Sequence, residues 1–118
     1  MRNNNEDPVA TLSLPSAPQY AHVDISNVRI RNEKVIILKG QQLKRYSIAV
    51  GSFTNKYNAE EYYDIFKERG CQVTLAQDDG KESFRVLIGT TDILRDAVYN
   101  GNLLSKEYIL ADFWIFQK

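Results

Sequence analysis

At 118 residues and 43% apolar content, the chain is long enough for one small globular domain with a tail. Fifteen basic residues cancel fifteen acidic ones, so no long-range field collects polyanions and nucleic acid is a poor candidate ligand. The single cysteine excludes an internal disulfide and a Cys-based metal framework, and no apolar run approaches the roughly 18–20 residues of a membrane span.

Residues 1–27 hold all three prolines (Pro8, Pro15, Pro18) and the run Asn3-Asn4-Asn5, with no sustained period, and read as a flexible linker. Met1 to Ala10 lacks the charged-then-apolar order of a secretory signal, so the chain reads as soluble. Residues 28–43 form a lead-in. Val28 and Ile30 alternate with Arg29 and Arg31, Asn32-Glu33 suits a turn, and Val35 to Leu38 is apolar, which predicts one strand or a small hairpin on the domain's edge.

The remaining residues, 44–118, carry an internal repeat. YSIAVGS at Tyr46 to Ser52 realigns on FRVLIGT at Phe84 to Thr90 with an offset of 38 residues, and each copy leads into a helical pattern. In the first copy Ser52 or Thr54 through Asn58 offers N-cap chemistry. Ala59, Tyr62, Tyr63 and Phe66 then recur at helical spacing until Gly70. Cys71 to Ala76 alternates as a strand, with Cys71 read as a small buried side chain, and Asp78-Asp79-Gly80 is a hairpin turn signal. After the second strand, Thr91 or Asp92 caps a helix to about Leu104, weakened by Gly101, and Phe113 to Phe116 is a short last strand.

The order β-α-β-β-α-β is that of α+β ferredoxin-like and RRM-like domains, here with an extra N-terminal strand. It predicts a four-stranded antiparallel sheet with both helices on one face and the other face bare. Alternation places Ser47, Ala49, Gly51, Gln72, Thr74, Arg85, Leu87, Trp114 and Phe116 on that bare face. A shallow floor of small residues bordered by an Arg and two rings suits a flat, polar, neutral ligand such as a sugar. No catalytic constellation is visible: Glu60 and Glu61 diverge on a helix, Asp78 and Asp79 belong to a turn, and the lone histidine, His22, is in the tail. A non-enzymatic domain without metal or cofactor is expected.

Several motifs in this order are specific. YSIAVGSF, NAE at Asn58 to Glu60, KERG at Lys67 to Gly70, FRVLIG at Phe84 to Gly89 and DFWIF near the end resemble the sporulation-related repeat, or SPOR, domain over Lys44 to Lys118. The preceding RNEKVIIL resembles the lead-in of SPOR proteins in the Bacteroides group. The resemblance implies a non-catalytic module of the bacterial cell envelope (periplasm). It would bind peptidoglycan glycan strands stripped of peptide stems, as found at the division septum, with cell-wall hydrolases or division proteins as candidate partners. Membrane attachment would come only through an anchor not present in this chain, the tail serving as spacer.

By position, the family's contacts fall on Ser52, on Phe84 or Arg85, and on Trp114. Alternation turns Phe84 toward the helices, so a ligand role there needs a bulge or a twisted strand end. Ala49 stands where many members have Gln, Leu87 where a second basic residue is common, and Thr91 where Phe is usual. The glycan reading thus places binding on Ser47, Ala49, Gly51, Ser52, Phe84, Arg85, Leu87, Trp114 and Phe116. It expects Trp114→Ala to weaken binding without unfolding the domain. The alternatives are a protein-interaction adaptor of the envelope that has lost sugar binding, an RNA-binding domain of the RRM type, and a spacer.

Overall fold

The computed structural model describes residues 17–18, 22–107 and 113–118. Most of the predicted linker and residues 108–112 lie outside the described residues. The chain forms β1 (Ile30–Asn32), β2 (Val35–Gly40), β3 (Tyr46–Phe53), α1 (Lys56–Glu68), β4 (Val73–Asp78), β5 (Phe84–Thr91), α2 (Leu94–Glu107) and β6 (Trp114–Gln117). Of the tail, Ala17 N–H donates to Asp96 Oδ1 at 2.8 Å, Arg95 donates to the Pro18 carbonyl at 2.8 Å, and Val23 packs on the core.

Local chemistry explains the element ends. Asn55, inside the stretch that offered N-cap chemistry, caps α1: its backbone is extended and its side chain accepts from Asn58 N–H at 3.2 Å. Ala59, Tyr63 and Phe66 form the buried stripe of that helix, and Gly70, at φ +85°, ends it. Gly80, at φ +79°, turns β4 into β5 as the Asp-Asp-Gly signal predicts. Gly101 sits inside α2 because a Cβ there would strike the Phe113 ring; close packing compensates its poor helix propensity.

The four strands of the β-α-β-β-α-β core lie in the order β6-β3-β5-β4, all antiparallel. Both helices cover one face. Ile48, Val50, Val73, Leu75, Val86, Ile88 and Ile115 meet Ala59, Tyr63, Phe66, Ala97, Val98 and Leu104 there. The four-stranded expectation is corrected by the lead-in, which supplies two strands at opposite ends of a mixed sheet of order β1-β6-β3-β5-β4-β2. β1 runs parallel to β6 and β2 antiparallel to β4, so β1 and β2 point the same way and Asn32-Glu33 makes no hairpin.

This connectivity has a geometric consequence. In a flat sheet with about 4.8 Å between strands, β1 and β2 would lie about 24 Å apart. Only Glu33 and Lys34 join them, and three Cα steps reach at most about 11 Å. The sheet must therefore curl until one extended segment serves both edges. Following partners once around, from Ile30 to Ile115, Ile48, Ile88 and Val73, leads to Gln41, eleven residues further along the same segment. Such a stagger is that of a closed, tilted barrel. Residues 30–40 are its fifth wall, a strap, and the bare face becomes the barrel's interior.

Gly40 is fitted to the strap's end. It has φ +104°, and a Cβ there would strike the Val73 carbonyl oxygen and approach the Thr74 Cα to 2.9 Å. Gly40→Ala is expected to lower stability by about 1–3 kcal/mol, measured by urea denaturation.

Candidate functional site

The interior of the barrel holds a second core made of Leu43, Ala49, Ala76, Leu87, Trp114 and Phe116, with Val35 and Ile37 of the strap packed on it. The small floor read from alternation is real, but it provides room for these side chains rather than for a ligand. Ser47, Ala49, Thr74 and Ala76 are small where two rings and the strap must fit. Ser47, opposite Phe116, is fully buried, and its Oγ has no hydrogen-bond partner among the described residues.

Bulges move two residues of the expected set. The register of β3 against β5 shifts between Ala49 and Gly51, so Gly51 turns to the helices, where a Cβ would meet the rings of Phe53 and Tyr62 at 2.7 and 3.0 Å. Ser52 takes the inner side instead, paired with Arg85, and is exposed. Phe84 lies in the helix-side core, as strict alternation requires. Gln72 is exposed just before β4. A second shift, between Tyr46 and Ile48, is accommodated on β5 by Gly89 at φ +61°.

Ser52, Arg85 and Trp114 come from three strands to one end of the barrel. Arg85 Nε and Nη2 donate to the two carboxylate oxygens of Glu33 at 3.1 and 3.2 Å, and Nη1 donates to Ser83 Oγ at 2.6 Å. The Asp78 carboxylate lies 3.6 Å from Arg85 Nη2. This is a bidentate pair with both side chains nearly enclosed, 6% and 10% exposed. The Trp114 ring lies 5.7 Å from the Arg85 guanidinium and 5.1 Å from that of Arg31, which is half exposed at the rim and reaches Glu33 at 3.1 Å. Trp114 itself is 7% exposed.

The rim of the barrel end therefore offers the Ser52 hydroxyl and the Arg31 guanidinium, with Trp114 behind them. Sequence reasoning missed Arg31 and Glu33. The signal was present in the alternation Arg31, Glu33, Val35, Ile37, which runs straight through the supposed turn. Next to this end, Tyr62 packs tilted against Phe53 and edge-on to Phe66, with centroids 5.4 and 5.2 Å apart, and burial pushes the Tyr62 phenol above its ordinary range.

Among the described residues no group of three or more His, Cys, Asp or Glu is placed to hold a metal, and no helix is long and apolar enough to cross a membrane. Comparison with protein-family models, with curated proteins and with solved structures finds no match for this chain.

Proposed function

We propose that this chain is a non-catalytic peptidoglycan-binding module of the bacterial cell envelope, recognising denuded glycan strands at the end of a closed barrel rather than across an open sheet. The observation that carries this reading is the convergence of Ser52, Arg85 and Trp114, the positions to which the SPOR resemblance transfers glycan contacts. Arg31 adds an exposed donor fork beside them, suited to sugar hydroxyls and carbonyls. The contacts are few and partly neutral, so weak binding that tolerates moderate salt is expected.

Co-sedimentation with sacculi, untreated and after amidase removal of stem peptides, tests the reading. Retention should rise on amidase treatment and fall several-fold in Ser52→Glu, at an exposed position, and in Arg31→Ala, with urea denaturation checking that each variant remains folded. Absence of retention by both preparations would reject it.

A second reading has its own observation. The strap encloses Ser47, Leu87 and Phe116, most of the face an open-sheet domain would present, and Ala49 lies against Trp114. An envelope adaptor that has exchanged its sugar face for a second core would look like this. It predicts capture of an envelope protein without retention by sacculi.

A further inference from the structure

A second polar site lies away from the barrel's interior, in a groove of about 540 Å³ between β2 and the C-terminal end of α1. Lys39 Nζ lies 4.9 Å and Lys67 Nζ 5.9 Å from the centroid of the same ring, that of Tyr63. The ring is almost wholly buried, so the two ammonium groups form the groove's charged surface. Among the described residues no Asp or Glu lines the groove, and neither ammonium has a carboxylate within ion-pair distance.

Both lysines line the same groove, so an anion entering it meets two positive charges. The end of α1 offers these charges little compensation. The carbonyls of Ile65, Phe66 and Lys67 already accept from Arg69, Gly70 and Cys71 N–H. The remaining lining is neutral and rich in hydrogen-bonding groups, including Gln41 and Gln72. The β2 wall is fixed in advance: Gln41 N–H donates to the Val73 carbonyl at 3.3 Å, and Thr74 Oγ1 donates to the Gln41 carbonyl at 2.7 Å. A preformed groove of this size with two cations and two amides fits a sugar bearing one carboxylate.

We propose that this groove is an anion subsite for a carboxylated sugar, with Lys39 and Lys67 holding the carboxylate and Gln41 and Gln72 bonding the hydroxyl or acetamido groups. The choice of sugar rests on the glycan reading above, because removing stem peptides frees the lactyl carboxylates of muramic acid residues. The subsite would make the module sense that removal directly: an amidated carboxyl carries no charge for the lysines.

The test is amide chemical-shift mapping of the full chain titrated with N-acetylmuramic acid, N-acetylglucosamine and inorganic phosphate in parallel. N-acetylmuramic acid should shift Gly40, Gln41, Gly70 and Cys71, and N-acetylglucosamine should not. Lys39→Gln/Lys67→Gln, which keeps the side-chain stems over Tyr63, should weaken the titration by about tenfold or more. Equal shifts from both sugars, equal shifts from phosphate, an unchanged titration in the double variant, or no shift in the groove would each overturn the assignment. If wild type and double variant sediment equally with amidase-treated sacculi, the subsite fails while the glycan reading stands. If neither sediments but N-acetylmuramic acid still shifts the groove, the reverse holds.

Discussion

Trp114→Ala is expected to lower the unfolding free energy by about 3–5 kcal/mol, the range for deleting a large buried aromatic side chain. The indole is 7% exposed, packs in the second core, and lies against the guanidinium groups of Arg85 and Arg31. Its removal opens a cavity in the barrel and leaves Arg31 of the strap without the ring it lies over. With the ring buried in this way, the substitution is expected to cost stability as well as any binding. Chemical denaturation with an unchanged m-value would show the loss directly. A change below about 1 kcal/mol would mean that the strap does not close over the ring in solution.

Glu33→Ala should have an effect of similar size by a different route. The carboxylate is the bidentate partner of Arg85, and both groups are nearly enclosed, so removing one leaves the other charged and short of partners. Breaking a buried pair in this way typically costs about 3–5 kcal/mol, several times the value of an exposed one. Asp78, 3.6 Å from Arg85 Nη2, reduces the loss, so the lower half of that range is expected. The double replacement Glu33→Leu with Arg85→Met removes both charges, and it should recover most of the stability lost by Glu33→Ala. A double-mutant cycle followed by urea denaturation measures the coupling. Additive single effects would show that the pair does not tie the strap to β5.

The legible part of the fold was the local part. The alternating strands, the helical pattern from Ala59 to Phe66 and the Asp-Asp-Gly turn each act within a dozen residues, so residue order alone prescribes them, and the 38-residue repeat shows strand and helix patterns twice. The lead-in was harder. Val35 and Ile37 are apolar and alternate with Ile36, which is also apolar but exposed, so period alone does not say which face is buried. The Asn-Glu pair matched a turn, yet the alternation beginning at Arg31 continued through it.

The candidate site divides in the same way. Strand alternation gathered Ser47, Ala49, Arg85, Leu87, Trp114 and Phe116 on one face, as they are, but a bulge at Val50 exchanged Gly51 for Ser52. A bulge adds one residue to one strand only, and it is recognised by the pairing partner, not by the strand that carries it.

By itself the sequence determined the element types, the β-α-β-β-α-β order and the helix-covered face, because periodicity, caps and turn residues act locally. Only the tertiary structure decided that residues 30–40 pair with both edges of the sheet, since strand pairing is settled between residues far apart in the chain. That closure turns the flat floor read from alternation into a second core, and leaves Arg31, Ser52 and the lysine groove outside it.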